Sequence, residues 1–140
     1  MIATVAAPSN ARALADRFIT YLETGEAPPG LYGSDVFVDV TLPRWRLQAR
    51  GRDEALAVRR ASHPQPGSVP RWRFDPTPTG FVLEIEETWD DDAGEHWYCR
   101  ELFRADVDPD GITELAVYCT GDWDAARRSE HAAAVQLIRP

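Results

Sequence analysis

The sequence contains no lysine, because all 15 of its basic residues are arginines. This absence excludes Schiff-base catalysis by a lysine and the lysine of a phosphate-binding loop. No stretch approaches the roughly 18 consecutive apolar residues of a membrane-spanning helix. The net charge of −8 disfavours binding to a nucleic acid or to an anionic membrane. We therefore expect a protein that binds neither nucleic acid nor membrane.

Cysteine is scarce as well, with Cys99 and Cys119 alone in the chain. The first residues, MIATVAAPSNARALADRF, lack a basic region ahead of an apolar stretch, so we expect no secretory signal and a cytoplasmic location. Both cysteines are then expected to be thiols. Together with the three histidines they form no spacing typical of a metal site. Neither a glycine-rich nucleotide motif nor a GxSxG elbow occurs, so the sequence predicts no metal and no cofactor.

A length of 140 residues suits one domain, residues 1–140. Helical spacing predicts a first helix over 9–24, with Ser9 as its N-cap and Gly25 as its stop. The closing helix has Asp122 or Asp124 as its cap. Between them the pattern predicts a strand over 36–43, a helix after Gly51 that stops before Pro64, and strands over 71–75, 81–89, 96–105 and 112–120. Helices first and an antiparallel sheet afterwards indicate an α+β domain.

The last three predicted strands form two hairpins. With DDDAG as the first loop, Ile85 pairs with Cys99, and in the second hairpin Phe103 pairs with Leu115 and Cys99 with Cys119. This register predicts one polar face and one apolar face. The polar face carries Glu84, Glu86, His96, Tyr98, Arg100, Arg104, Glu114 and Tyr118. The apolar face carries Phe81, Leu83, Ile85, Trp97, Cys99, Phe103, Leu115, Val117 and Cys119.

Two glutamates interrupt the apolar face, Glu87 and Glu101. Burying a carboxylate without a partner costs about 3–5 kcal/mol, unless a raised pKa makes the group neutral. Glu101 lies in mid-strand, where its side chain cannot easily reach solvent, whereas Glu87 lies near the strand end and can. Glu101 is therefore the stronger candidate for a functional carboxyl group.

Four segments resemble the nuclear transport factor 2-like superfamily, which includes ketosteroid isomerases, scytalone dehydratase, limonene epoxide hydrolase and SnoaL-like polyketide cyclases. They are RFITYLETGE, LYGSDVFVDVTLP, GRDEAL and YCRELFRADVDPDGITELAVYCTGDWD. The resemblance implies a cone-shaped, cystatin-like α+β fold with a curved mixed or antiparallel sheet and helices on its concave face. It also implies a pocket between helices and sheet, although such patterns specify fold better than chemistry.

The resemblance carries over to few of the family's catalytic positions. Phe18 stands where a ketosteroid isomerase has its helix-one tyrosine, and Val40 stands at the base aspartate, one place after Asp39. Glu101 is similar in position to the isomerases' oxyanion-hole aspartate, a carboxyl group kept protonated by an apolar site. Cys99 replaces the arginine of the epoxide hydrolases. Steroid isomerisation and limonene epoxide hydrolysis are therefore both disfavoured.

These observations favour a cofactor-independent acid/base enzyme, a cyclase, dehydratase or isomerase, that acts on a hydrophobic metabolite of specialised metabolism, and we expect a homodimer. Glu101 is the predicted acid, and Asp39, Glu87 or His63 is the base or holds a water. Aromatic and apolar side chains are predicted to form the pocket wall. They are Phe18, Phe37, Trp45, Trp72, Trp97, Cys99 and Cys119.

Each of these residues also has a structural interpretation. Asp39 could be a strand-end carboxylate bonded to backbone, His63 an exposed helix C-cap, and the tryptophans core residues. A non-catalytic ligand-binding or dimerising domain remains an alternative, with Glu101 bonded to a buried arginine, tyrosine or backbone group. An interaction subunit that uses the polar sheet face is another alternative. An open cavity of roughly 300 Å³ or more with Glu101 in its wall would favour the enzyme.

Overall fold

A computed structural model describes residues 5–140, which form three helices and seven strands. The first four residues, which belong to the segment considered for a secretory signal, lie outside the described residues. In chain order the elements are α1 (Ala11–Thr24), β1 (Tyr32–Thr41), β2 (Arg46–Arg50), α2 (Arg52–Ser62), β3 (Ser68–Thr77), β4 (Gly80–Asp90), β5 (His96–Asp108), β6 (Gly111–Cys119), β7 (Trp123–Asp124) and α3 (Ala125–Ala134).

The strands form one curved, unclosed sheet in the order β2-β1-β6-β5-β4-β3, and β7 pairs with β5. The contact between β1 and β6 is parallel and the others are antiparallel, so the sheet is mixed. This architecture confirms the predicted α+β fold class. The sequence did not predict β2, an edge strand whose side chains are exposed or only half-buried, because such a strand carries no apolar alternation.

The first helix packs its apolar stripe against the sheet, with Phe18 and Tyr21 buried. Gly25 ends it with a φ of 77°, and the Gly25 amide donates to the Tyr21 carbonyl oxygen over 2.8 Å, which confirms the predicted stop. The predicted N-cap at Ser9 is wrong. Asn10 holds that position, and its side-chain amide donates to the Asp108 carbonyl oxygen, so it joins the helix to the end of β5.

The predicted hairpin register is wrong by two residues, although the predicted faces are confirmed. Ile85 pairs with Glu101 rather than with Cys99, and Cys119 also pairs with Glu101. The loop is displaced because the Asp91 carboxylate accepts hydrogen bonds from the amides of Ala93 and Glu95. Moving a hairpin loop by one residue shifts every pair by two, so each side chain stays on its face. Most buried residues of β4, β5 and β6 accordingly belong to the predicted apolar face, and Ala116 is an exception because it is buried on the other face.

No helix within residues 5–140 is both long enough and apolar enough to span a membrane.

Candidate functional site

An apolar cavity of about 340 Å³ lies between the sheet and the first two helices. Drug-sized ligands occupy pockets of roughly 300–1,000 Å³, so this volume suits a small molecule. Strands β1 and β6 supply valine and leucine side chains to its wall, whereas α1 and β5 supply phenylalanines. The apolar lining includes Phe18, Tyr21, Leu22, Tyr32, Val38, Val40, Phe103, Leu115 and Val117.

Glu101 lies in this wall, as the sequence predicted, and its side chain is 3% exposed. The Cys99 thiol, two residues earlier on the same face of β5, donates to Glu101 Oε1 over 3.5 Å. Nη1 of Arg59 lies 3.8 Å from the same oxygen. The carboxyl group therefore meets the cavity while one of its oxygens is held by polar neighbours.

Glu87 has no exposed side-chain surface, so the expectation that it reaches solvent from the strand end is wrong. It is held instead by Arg59, whose Nη2 donates to Glu87 Oε1 over 2.6 Å. Arg59 belongs to α2, and its side chain is only 16% exposed. A buried carboxylate that receives a charge-assisted hydrogen bond of this length is the ionised partner of the arginine.

One proton therefore serves two carboxyl groups. Burial raises the pKa of Glu101 well above its usual value, and the hydrogen bond and negative charge of Glu87 raise it further. Burial would also raise the pKa of Glu87, but the hydrogen bond from Glu101 and the charge of Arg59 hold it below its usual value. Like charges this close cannot both ionise against a single cation. Glu101 is accordingly the neutral acid and Glu87 the carboxylate.

His63 follows the last residue of α2, and its side chain is 6% exposed, so the expectation of an exposed C-cap is wrong. Its Nε2 lies 3.7 Å from Asp122 Oδ1 and 3.9 Å from Cys99 Sγ. Its Nδ1 lies 4.0 Å from Glu87 Oε1. Burial, together with the charge of Arg59, lowers the pKa of His63 to about 4. The imidazole is therefore neutral near pH 7 and can accept a proton.

Cys99 does not line the cavity, so the prediction that it forms part of the wall is wrong. Cys119 is in the wall, and the Gly121 amide donates to its sulfur over 3.4 Å. The neighbouring Cys99 sulfur and the Gly121 amide lower the pKa of the Cys119 thiol, whereas Cys119 and burial raise the pKa of Cys99. Strand pairing alone placed no histidine beside these cysteines. His63 instead reaches Cys99 from the end of α2, with 3.9 Å between its Nε2 atom and the sulfur.

Asp39 and Phe37 do not line the cavity, so the prediction that they do is wrong. Val38 and Val40 take the inward positions of β1, which turns the intervening side chains to the opposite face. There Asp39 accepts from Arg46 over 2.7 Å, and this hydrogen bond lowers its pKa. The interpretation of Asp39 as a structural carboxylate is the better one, although its partner is an arginine.

The three tryptophans that were expected in the wall have different positions. Trp45 lies at the cavity mouth and is 70% exposed. Trp72 is 42% exposed beneath the guanidinium of Arg12, and the Trp97 indole donates to Asp91 over 3.0 Å. Trp72 and Trp97 lie away from the cavity, so the expectation that they line it is wrong.

The wall residues that the sequence analysis missed include Arg59, Asp122 and Tyr21. Arg59 and His63 are four residues apart, which places them on one face of α2, and this spacing was the available signal. Burial raises the pKa of Asp122, which lies within reach of His63. The Tyr21 hydroxyl is buried and has no hydrogen-bond partner among residues 5–140. It is a free donor beside the cavity.

No protein-family model matches this chain, and no curated protein matches it significantly in sequence. Solved structures do match. A nuclear transport factor 2-like protein from Anabaena variabilis superposes with a TM-score of 0.66 at 18% identity, covering 87% of this chain and 96% of that one.

Two further matches carry functional descriptions. An LEH-like epoxide hydrolase from Mycobacterium tuberculosis gives a TM-score of 0.61 at 14% identity, covering 79% of this chain and 83% of that one. A phenazine biosynthesis-related protein from Pseudomonas aeruginosa gives 0.57 at 12% identity, covering 93% and 86%. At these identities the matches establish architecture and leave chemistry open. The chain has the nuclear transport factor 2-like fold.

Proposed function

We propose that this protein is a cofactor-independent acid/base enzyme that acts on a hydrophobic small molecule, as a cyclase, dehydratase or isomerase of specialised metabolism. The observation that carries the proposal is the buried carboxyl group of Glu101 in the wall of an apolar cavity. Burial and the neighbouring Glu87 raise the pKa of Glu101 well above its usual value, which keeps the group neutral next to the ligand space although the charge of Arg59 opposes this.

In this proposal Glu101 donates its proton to an oxygen of the ligand, either a carbonyl oxygen or a leaving hydroxyl. His63 accepts a proton from carbon or from a hydroxyl group, and Asp122 orients the imidazole that forms. A ring nitrogen of His63 and a carboxyl oxygen of Glu101 lie within 4.8 Å of each other, close enough to act on one ligand. General acid and base groups placed in this way typically accelerate proton transfer by ~10²–10⁴-fold.

The cavity wall favours a ligand with a mostly hydrocarbon body and few oxygens. Aliphatic and aromatic side chains surround its centre, and the polar groups Arg59, His63, Glu101 and Asp122 meet at one end. A ligand oxygen is best satisfied at that end, because elsewhere it would lose its hydrogen bonds to water. Two matched structures, one an epoxide hydrolase and one described as related to phenazine biosynthesis, are compatible with such a ligand.

The test is exchange of carbon-bound protons, which requires no knowledge of the product. A panel of monocyclic and bicyclic ketones is incubated with the protein in D₂O, and loss of α-proton signals is followed by NMR. Glu101→Gln is expected to slow exchange by about 100-fold or more while ligand affinity changes only a few-fold. Glu84→Gln is the matched control, since that glutamate pairs with Arg100 on the outer sheet face. Unchanged exchange in Glu101→Gln would contradict the proposal.

A non-catalytic ligand-binding domain is the second candidate. It is favoured by the 3.8 Å approach of Arg59 to Glu101, which is also what a purely structural carboxyl group would show. Under this alternative the panel binds, as measured by calorimetry, and neither the wild type nor Glu101→Gln exchanges protons. An acid/base role requires binding and exchange together, so the two candidates give different results.

We further propose a cytoplasmic homodimer. The outer face of the sheet carries the exposed cross-strand pair Leu102 and Tyr118, which two copies of the chain could bury against each other. Sedimentation equilibrium of the wild type and of Tyr118→Glu tests this assembly. The charged variant is expected to shift the mass towards that of one chain.

A further inference from the structure

Four metal-binding side chains converge at the polar end of the cavity. They come from three separate parts of the chain: Cys99 from β5, Cys119 from the end of β6, Asp122 after β6, and His63 after α2. Single donor atoms of Cys99, Cys119 and Asp122 lie within 4.8 Å of one another. The His63 Nε2 atom lies 3.9 Å from Cys99 Sγ and 3.7 Å from Asp122 Oδ1. The fold thus adds a histidine and an aspartate to the two cysteines that the sequence analysis counted.

Two of these spacings, from His63 Nε2 to Cys99 Sγ and to Asp122 Oδ1, are close to the edges of a tetrahedral zinc site. Zinc binds sulfur at about 2.3 Å and nitrogen or oxygen at about 2.0–2.2 Å, so the ligand atoms of a tetrahedron lie roughly 3.3–3.8 Å apart. The two distances from His63 exceed such edges by only a few tenths of an ångström. Asp122 and Cys119 are each partly accessible to solvent, which gives an ion a way in and lets their side chains adjust.

The outer shell of this cluster also fits a metal-bound histidine. A ligating imidazole commonly directs its other ring nitrogen to a carboxylate, which fixes the tautomer and the ring orientation. Nδ1 of His63 faces Glu87 Oε1 at 4.0 Å. That nitrogen is buried and lacks a hydrogen-bond partner within residues 5–140. A proton on Nδ1 leaves the Nε2 lone pair directed towards Cys99 and Asp122.

Two thiols restrict the kind of ion. Sulfur ligands select zinc and similar soft cations, whereas calcium and magnesium take oxygen ligands. Glu87 is not a ligand in this arrangement, because Arg59 already binds it over 2.6 Å. Glu101 also stays outside the metal site and remains the acid of the cavity wall that faces the small molecule.

We propose that this protein binds one zinc ion through Cys99, Cys119, His63 and Asp122. The proposal adds a metal site to the proposed acid/base function and shares one residue with it, since a zinc ion on His63 Nε2 removes the imidazole as a base. Metal binding would then suppress proton exchange without moving Glu101. A bound ion would also join the end of α2 to strands β5 and β6.

Metal binding is measured directly, with no organic ligand present. The protein is reduced with a phosphine, freed of metal with a chelator and titrated with Co²⁺. We expect one ion per chain, a near-ultraviolet sulfur-to-cobalt charge-transfer band and the intense visible bands of four-coordinate cobalt. Zn²⁺ should displace the cobalt and abolish the spectrum. Cys119→Ser is expected to weaken binding by at least about 100-fold and to remove much of the charge-transfer band.

His96→Gln is the matched control, because His96 also lies beside an aspartate, Asp90, but on the outer face far from any thiol. It should leave cobalt binding unchanged. If Cys119→Ser unfolds, the same loss is sought in Asp122→Asn, whose side chain is partly exposed. Absence of cobalt binding to the reduced wild type overturns the metal site, as does binding that survives Cys119→Ser and Asp122→Asn. The Glu101 exchange assay is run on metal-free protein, so neither result affects it and the two proposals can fail separately.

Discussion

Replacing Arg59 with methionine should destabilise the fold strongly, because Arg59 neutralises a carboxylate that has no exposed surface. Arg59 Nη2 lies 2.6 Å from Glu87 Oε1, and the two side chains are 16% and 0% exposed. Removing one partner of a buried ion pair costs about 3–5 kcal/mol, since the other charge is left in an apolar environment. Methionine preserves most of the arginine's apolar volume, so loss of packing adds little.

The same reasoning predicts that a second substitution rescues the first. Glu87→Met alone should cost less than Arg59→Met, because Glu101 can then ionise and become the carboxylate partner of Arg59, whereas the double variant buries two apolar side chains and recovers most of the Arg59→Met loss. The coupling energy of this double-mutant cycle should be roughly 3 kcal/mol. Glu101→Gln, in contrast, exchanges one neutral group for another and should change stability by less than about 1 kcal/mol, since the pKa of Glu101 is raised well above its usual value.

Urea unfolding at pH 7, followed by circular dichroism and extrapolated linearly to water, gives the free energies for all four chains of the cycle. Arg100→Met is the control, because Arg100 bonds Glu84 in an exposed pair on the outer face, and such pairs contribute about 0–1 kcal/mol. An Arg59→Met cost below about 1 kcal/mol would refute the assignment of a buried ion pair. Additive single costs would refute the pairing of Arg59 with Glu87.

The remaining predictions concern pH, packing and the outward face of β1. The folded pKa of His63 is lowered from 6.5 to about 4, so its contribution to stability is present above pH 6.5 and is lost as the pH falls towards 4. The free energy of unfolding of the wild type, measured by urea titration, should therefore fall by up to about 3 kcal/mol relative to that of His63→Gln between pH 6.5 and 4. Parallel pH profiles of the two proteins would contradict this prediction. Gly80→Ala should lower the free energy of unfolding by at least about 2 kcal/mol, because the new Cβ would lie 1.9 Å from the Ala105 carbonyl oxygen. Gly94→Ala places its Cβ more than 4 Å from any atom and should lower the free energy of unfolding by less. Asp39→Asn should leave ligand affinity unchanged, and a change above two-fold in calorimetry would return Asp39 to the site.

The sheet faces could be predicted because their signal is periodic and redundant. Leu83 and Ile85 alternate with charged neighbours on β4, and Phe103 and Leu115 continue the same face on the next strands. A shift of the paired residues by two positions leaves every side chain on the same face, so the predicted faces were right although the predicted pairs were wrong. The loop position depended on hydrogen bonds accepted by one side chain, the Asp91 carboxylate, which periodicity does not report.

The two glutamates on the apolar face, Glu87 and Glu101, could be predicted for the same reason, whereas their arginine partner, Arg59, could not. Glu101 stood out because a glutamate broke an apolar alternation. Arg59 is one of 15 arginines and lies on a helix whose mean composition is polar, so its sequence neighbours do not mark it as buried. Asp39 and Phe37 were assigned to the cavity because β1 alternates between two faces that both look acceptable from sequence, and only the position of α2 decides between them.

The C-terminal end of α2 carries two of the four polar groups that meet at one end of the apolar cavity, and this explains how the cavity holds them without losing its shape. Arg59 and His63 are one helical turn apart, so the helix delivers one permanent cation and one neutral imidazole to the same patch of sheet. The sheet presents two glutamates there, and one proton makes the total charge of the two carboxyl groups equal and opposite to that of Arg59. Because the balance needs that proton, it fixes Glu101 in the form that can donate. The neutral charge of the core and the acidity of the site therefore follow from one arrangement. Glu87→Gln removes one negative charge, so the core is neutral only when Glu101 loses its proton. This variant should convert Glu101 into the carboxylate partner of Arg59 and abolish its role as an acid.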